Sequence, residues 1–303
     1  MNTEVDFAPI ALFVYNRPEH TRLTIEALTR NFQASHSCLF IFSDGFKDNS
    51  DRESVNAVRR YLSQVQGFAK VTIIERNSNW GLANSIIEGV THLCEQYGRV
   101  IVLEDDLQTS SYFLEYMNNA LELFKDNNRI ASVSGYMFPI KNDFSNKIFL
   151  RRTPLSWGWA TWKDSWDSFE KDGNLLLNNL KKQKKALKFN YLGPQPFFKM
   201  LKQQIKGKNN SWFIRWCASL FLTDKMTVMP TQSLVKNIGI DGTGTHCAEW
   251  RFNPYEVKLS NSPILIEELD EIQTTKIERS LLYYFFKVRV LRYINFLYRL
   301  FRR

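Results

Sequence analysis

At 303 residues with 44% apolar content, the chain is long enough to bury a sizeable core as one large α/β domain or two small ones, which excludes disorder. Its net charge of +9 is concentrated at the end: from Lys276 to Arg303 there are eight Lys/Arg against one acid, Glu278, so the first 275 residues are nearly neutral overall. A phosphate-tracking groove would need a basic stripe across the folded body, and none of the familiar nucleic-acid motifs is present, so no nucleic-acid partner is expected and an anionic membrane surface is favoured. The first elements then follow in order. Ile10 to Tyr15 is an apolar β-rich run, with a helical pattern from about Glu19 to Asn31. A second strand, Cys38 to Ser43, precedes a helix from about Ser50 to Gln64. A third, Val71 to Arg76, precedes a helix from Leu82 to Tyr97, and a fourth spans Arg99 to Leu103. Strands alternating with helices predict βαβ units on a parallel sheet.

Each of these strands ends in polar residues: Asn16-Arg17, Asp44-Gly45, Asn77-Ser78 and Glu104-Asp105-Asp106. Ligands bind at the carboxyl ends of strands in open parallel sheets, so the four clusters are expected to share one edge, the candidate active site. The half from 111 to 275 is less regular and aromatic, with a lysine-rich helical stretch from Leu180 to Phe189 that reads as a solvated face. Beyond about Glu278 a long helical pattern mixes Leu, Tyr, Phe, Val and Ile with Arg and Lys. It is too charged to span a bilayer but suits a helix in the membrane interface, the alternative being a helix that packs on a partner. The division expected is a domain over 1–275, with a nucleotide-binding half 1–110 and an acceptor half 111–275, and a basic amphipathic tail over 276–303. Cys38, Cys94, Cys217 and Cys247 lie far apart without a C-x-x-C pair, which suits free thiols in a reducing compartment. No secretory leader pattern opens the chain. Cytoplasmic residence, peripheral at the inner face of the membrane, is expected.

Three consecutive carboxylates after an apolar strand repel one another unless a cation neutralises them. Oxygen-only ligands suit Mg²⁺ or Mn²⁺, which would bridge the phosphates of a nucleotide diphosphate. The alternative is an acidic loop leading into the next helix near Ser110, where negative charge is favourable anyway. Other features also carry two readings. Asp44-Gly45 is a common turn; Trp80 belongs to a core or to a ligand loop; Trp157, Trp159 and Trp162 belong to a core or form a stacking platform for an acceptor sugar.

Several segments together resemble one group: Val14-Tyr-Asn-Arg-Pro18, Phe42-Ser-Asp-Gly45, Asn77-Ser-Asn-Trp-Gly-Leu-Ala-Asn84, Leu103-Glu-Asp-Asp106, Ser156-Trp-Gly-Trp-Ala-Thr-Trp162 and Asn237 to His246. In this order they resemble the GT-A glycosyltransferases, in particular family-2-like bacterial sugar transferases and more distantly the N-acetylglucosaminyltransferase I type. The resemblance implies an α/β, Rossmann-like, mostly parallel sheet flanked by helices. It also implies sugar transfer from a nucleotide sugar, a UDP-sugar, to a surface-polysaccharide or lipid-linked glycan. In that pattern Asp106 binds the metal, with His246 as a second metal or phosphate ligand. Glu104 and Asp105 face the donor ribose and sugar, and Asp44 accepts from the base. Asn16 and Arg17 lie near the base or phosphates, while Asn77, Trp80, Gly81 and Asn84 close over the nucleotide.

An inverting transfer needs a general base. Here the chain departs from the N-acetylglucosaminyltransferase type it resembles, which carries an acid after the first Trp of a W-D-x-x-W segment, whereas Trp212-Phe-Ile-Arg-Trp216 has Phe213. Asp241 is therefore the first candidate, and Asp164 or Asp167 the second. Arg215 stands where a Q-x-x-R-W segment of processive synthases places a leaving-group arginine. Two other classes compete: a nucleotidyltransferase that forms nucleotide sugars, and a non-enzymatic glycan- or membrane-binding module.

Overall fold

The computed structural model describes residues 7–141, 146–241 and 253–301, with side chains of the final helix given as far as Ile294. In chain order the elements are β1 (Ile10–Val14), α1 (Pro18–Thr29), β2 (Cys38–Ser43), α2 (Arg52–Leu62), β3 (Lys70–Glu75), α3 (Leu82–Tyr97) and β4 (Arg99–Glu104). Next come β5 (Leu107–Thr109), α4 (Phe113–Leu123), β6 (Ile130–Ser134), β7 (Ile148–Arg151), β8 (Trp159–Trp162) and α5 (Lys163–Trp166). The rest are α6 (Gly173–Lys182), α7 (Ala186–Phe189), α8 (Phe197–Ile205), α9 (Trp212–Leu222), β9 (Met226–Pro230), β10 (Val235–Asn237) and α10 (Glu271–Phe301).

Eight strands form one sheet in the order β3-β2-β1-β4-β8-β6-β9-β7. β1, β2, β3 and β4 pair in parallel, as do β6 and β9, while β8 runs antiparallel between β4 and β6 and β7 closes the edge antiparallel to β9. The mostly parallel, helix-flanked α/β sheet expected from the sequence is thus what the chain forms. It runs unbroken from the first half into the second. The alternation of side chains along each central strand divides the core. Ile10, Leu12, Leu39, Ile41, Ile101 and Leu103 face α1, α2, α4 and the start of α10. Ala11, Phe13, Phe40, Phe42, Val100 and Val102 face α3, α5 and α9.

α3 shows why the first half was readable. Its apolar positions recur at helical spacing, and both ends are set by glycines with positive φ, Gly81 and Gly98 at 73°; the Gly98 N–H closes the last turn on the Cys94 carbonyl at 2.9 Å. The lysine-rich stretch differs from expectation. The helix breaks at Gln183-Lys184, where Lys184 has φ 53°, so two short helices replace one. The C-terminal helix also begins earlier than expected, at Glu271. It is not a detached tail, since Ile277, Leu281, Tyr284, Phe285 and Val288 are buried in the same core as β1. Among the described residues, no helix is long and apolar enough to cross a membrane.

Candidate active site

Parallel pairing brings the carboxyl ends of β1, β2 and β4 together, and β1 is the middle strand of the three. Arg17 caps the start of α1 immediately after β1, and Pro18 in the first turn fixes the helix entry. From there Arg17 Nη1 reaches Asp106 Oδ2 at 2.9 Å and Asp105 Oδ1 at 3.9 Å. The acid turn is held from below by Thr24 of α1, whose buried hydroxyl donates to the Asp105 carbonyl at 2.8 Å and accepts from the Leu107 N–H at 3.1 Å.

A segment far along the chain completes the cluster. β10 pairs antiparallel with β5, aligning Asn237 with Leu107, and this delivers the following residues over the acid turn. The Ile238 N–H donates to the Asp106 carbonyl at 2.8 Å. Gly239 lies so close that a Cβ there would sit 2.0 Å from Asp106 Oδ2, so a side chain at this position would have to displace the Asp106 carboxylate. Asp241 then places Oδ1 3.6 Å from Arg17 Nη2 and Oδ2 3.1 Å from His20 Nε2. Arg17, Asp105, Asp106 and Asp241 therefore converge as the sequence pattern anticipated. His20 and Thr24 were missed, although both lie on the α1 face carrying Arg17, His20 three residues on and Thr24 a further turn along.

Burial shapes the titration of this turn. Removal from water, reinforced by the Asp106 charge and opposed by Arg17, pushes Asp105 up to about 7. Desolvation, then Asp106 and Asp105, push Glu104 well above the usual carboxylate range, again opposed by Arg17. The folded protein thus retains on Asp105 a proton that the unfolded chain releases near pH ~4. Stability contributed by this group therefore falls as pH rises from about 4 to about 7, by roughly 2–4 kcal/mol. Asp105→Asn cannot ionise. Its melting temperature is expected to match wild type near pH ~4 and to exceed it by several degrees at pH ~8; a gap independent of pH would contradict the assignment.

Hard oxygen donors such as these carboxylates suit a divalent cation such as Mn²⁺ or Mg²⁺. Among the described residues no three Asp, Glu, His or Cys side chains form a ready-made cage. Asp106 would be its protein anchor, leaving places for phosphate oxygens. His246 lies outside the described residues.

About two strand spacings away, roughly 10 Å, Asp44 ends the second strand's polar tip. It is 6% exposed, and its carboxylate accepts from three backbone N–H groups: Gly45 at 2.9 Å and Trp80 at 2.8 Å on Oδ1, and Gly81 at 2.9 Å on Oδ2. Asn79, also missed from the sequence, donates to the Gly45 carbonyl at 2.9 Å, and Asn84 donates to the Trp80 carbonyl at 2.9 Å. Gly45 and Ser78 cross so tightly that a Cβ on Gly45 would lie 2.5 Å from the Ser78 backbone. Asp44 is thus the anchor of the loop that carries Asn77, Trp80 and Gly81. Trp80 remains 42% exposed, with the Arg76 guanidinium 3.6 Å from its ring centre, a flat surface at the sheet edge. Asn77 is exposed and Asn16 is half-buried beside Arg17.

Three expectations, covering five residues, require correction. Trp159 is fully buried, stacked on Trp212 at 5.2 Å and packed against Trp166 and Trp216. Trp162 is also buried and donates its indole N–H to the Leu121 carbonyl at 3.0 Å. Neither offers a ring face to a sugar; only Trp157, half-buried against Tyr136 and Tyr255, stays at the carboxyl edge. Asp164 and Asp167 fail as general bases because β8 is antiparallel to β4. Trp162 aligns with Arg99 and the Lys163 N–H bonds the Gly98 carbonyl, so α5 begins at the opposite edge, about 17 Å of strand from the acid turn. Asp167 pairs there with Lys163. Arg215 is buried, donating to the carbonyls of Ser211 at 3.4 Å and Lys171 at 3.3 Å beside Phe169, in the segment after α5 and away from any leaving group at the acid turn.

No protein-family model and no curated protein sequence matches this chain. Among solved structures, it is similar to TarS 1–349 of S. aureus, with TM-score 0.40 and 8% identity over 75% of this chain and 59% of that one. It is similar also to the mannosyltransferase PcManGT of Pyrobaculum calidifontis, solved with GDP-Man and Mn²⁺, with TM-score 0.38 and 11% identity over 73% and 70% of the two chains. A third is the 4-diphosphocytidyl-2C-methyl-D-erythritol synthase of Anaerococcus prevotii, with TM-score 0.31 and 12% identity over 61% and 79%. Likenesses this loose decide nothing between sugar transfer and nucleotidyl transfer, and the residues of the carboxyl edge have to do so.

Proposed function

We propose that the chain is a divalent-cation-dependent glycosyltransferase of the GT-A type, moving a sugar from a nucleotide sugar, UDP-linked by resemblance, to a surface-polysaccharide or lipid-linked acceptor with inversion. The observation that carries the reading is the meeting of Arg17, Asp105, Asp106 and Asp241 on one sheet edge, two strands from a loop bearing an exposed tryptophan.

In this reading the Trp80 surface and the Asp44-anchored loop receive the base, and Glu104 and Asp105 orient the ribose and sugar. Asp106, with His246 as a further ligand, would hold a Mn²⁺ or Mg²⁺ ion, which would supply positive charge opposite the departing diphosphate. Arg17 is already aimed at the acid turn and neutralises the same phosphates. Asp241, oriented by His20, accepts the proton of the acceptor hydroxyl. Trp157 lines the acceptor side. The enzyme works in the cytoplasm at the inner membrane face.

The nucleotidyltransferase alternative is disfavoured because the first strand leads into Asn16-Arg-Pro-Glu-His20, with no glycine-rich phosphate loop. The test is a donor panel with Mn²⁺. Slow metal-dependent hydrolysis of one nucleotide sugar is expected, with the matching nucleoside diphosphate and Mn²⁺ together raising the melting temperature by a few degrees. Pyrophosphate release from a nucleoside triphosphate, or no stabilisation by any nucleotide, would overturn the proposal.

A further inference from the structure

The near-neutrality of the first 275 residues conceals a second basic block. Between Lys171 and Asn210 there are ten lysines and one acid, Asp172. These residues build α6, α7 and α8, a helical outgrowth with its own apolar core against α9. The outgrowth and α10 touch. Tyr191 packs edge-on against Phe285 at 5.2 Å and its hydroxyl bonds Glu278, while Arg289 donates to the Gly193 carbonyl at 3.0 Å. Two segments some eighty residues or more apart, both strongly cationic, thus share one surface.

That surface also exposes apolar groups. On α10, Tyr283, Phe286, Val290 and Tyr293 recur at spacings of three and four on the side opposite the buried stripe, and Tyr283 is 74% exposed. On the outgrowth, Leu187 and Leu192 are 63% and 57% exposed, flanked by exposed Lys184 and Lys188. In the turn from Tyr191 to Gly193 all three residues have positive φ, and Leu192 between them is exposed. Apolar side chains rimmed by lysines and arginines suit an anionic lipid surface, where the apolar groups insert and the cations meet phosphates. A second copy of the chain fits less well, because Lys287 and Arg289 flank the α10 stripe and would face their own kind.

We infer that the outer stripe of α10 and the Lys184–Gly193 turn together form one docking face for an anionic bilayer. This rests on the membrane-facing acceptor reading but not on the donor chemistry. The face has a consequence for the reaction: α10 also packs on Phe138 and donates from Tyr284 to the Pro254 carbonyl, next to Tyr255 and Trp157. Adsorption would therefore hold the Trp157 side of the active edge near the bilayer, where a lipid-linked acceptor presents its sugar.

The experiment is sedimentation of the full chain with vesicles of phosphatidylcholine containing about 30 mol% phosphatidylglycerol, against phosphatidylcholine alone. Binding to the anionic vesicles only, lost near 0.5 M salt, is expected (order of magnitude). The triple variant Lys184→Glu, Leu187→Ser, Lys188→Glu lies outside the tail. It should bind at least tenfold more weakly, since each lysine near the surface is worth about fivefold. Tyr283→Ser with Phe286→Ser should weaken binding independently, and both variants should keep their melting temperature and nucleotide-dependent stabilisation. Equal adsorption to neutral vesicles, wild-type binding by the triple variant, or a dimer that the α10 variant dissociates would each overturn the composite face. If nucleotide-dependent stabilisation fails in every form while adsorption persists, the donor reading falls and the docking face stands.

Discussion

Replacing Asp106 with alanine is expected to lower metal-dependent donor hydrolysis by about a thousandfold while the melting temperature stays within a few degrees of wild type. The rate effect follows from position. Asp106 receives the Arg17 guanidinium at 2.9 Å, is crossed by Gly239, and belongs to a turn whose neighbours Glu104 and Asp105 are both pushed toward protonation. In the proposed reading it anchors the cation against a diphosphate, and loss of such charge stabilisation removes several kcal/mol from the barrier reduction. The small stability effect follows from the same electrostatics. Removing one of three crowded carboxylates relieves repulsion, offsetting the lost contact with Arg17. Donor hydrolysis and thermal melting of the same preparation decide the matter. Retained activity would place the cation elsewhere, and a collapsed melting temperature would make Asp106 a structural residue. Asp106→Asn separates charge from shape: it keeps a side-chain oxygen beside Arg17 yet is expected to lose nearly as much rate.

The first half of this fold was legible because each signal is local. Cys38 to Ser43 is a continuous apolar run bounded by turn formers, and Leu82 to Tyr97 has helical periodicity between two glycines. The polar residues at the strand tips could be assigned to one edge because parallel βαβ units leave no choice of direction. Nothing comparable constrains the second half. β6, β7, β8 and β9 span only four or five residues each. The decisive fact, that β8 enters antiparallel between β4 and β6, depends on pairings across the chain. That one reversal carries Asp164 and Asp167 to the wrong edge. Strand alternation buries Trp159 against α9 and Trp162 on the other face, leaving only Trp157 beside the site. Asp241 was found from its glycine-flanked setting, whereas its partner His20 needed the helical spacing from Arg17 to be read as one face. The two basic blocks illustrate the same limit. Net charge summed along the chain hid the lysines of 171–210 behind acids elsewhere, and only the contact of Tyr191 with α10 shows that both blocks meet.

Asp44→Ala carries the second large effect, on stability and nucleotide binding together. Its carboxylate is the acceptor for the backbone N–H groups of Gly45, Trp80 and Gly81, and the side chain is almost fully buried. Alanine leaves these donors without the partner that holds them, and unsatisfied buried donors cost about 1–3 kcal/mol each unless the loop moves to find water. Movement is the cheaper course, because Trp80 and Asn77 are already exposed; the ties that remain include Asn79 to the Gly45 carbonyl, Asn84 to the Trp80 carbonyl and the Arg76 stack. A net loss of about 3 kcal/mol is expected, seen as a fall of roughly 6–10 °C in melting temperature for a chain of this size. The released loop carries the proposed base platform, so stabilisation by nucleoside diphosphate with Mn²⁺ should vanish, and the half-saturating donor concentration should rise at least tenfold. Asp44→Asn sharpens the test. Its amide retains one acceptor oxygen but turns an NH₂ toward backbone N–H groups that need acceptors, so it should recover little of either property. An alanine variant that melts with wild type and still binds nucleotide would show that Asn79 and Arg76 hold the loop without Asp44.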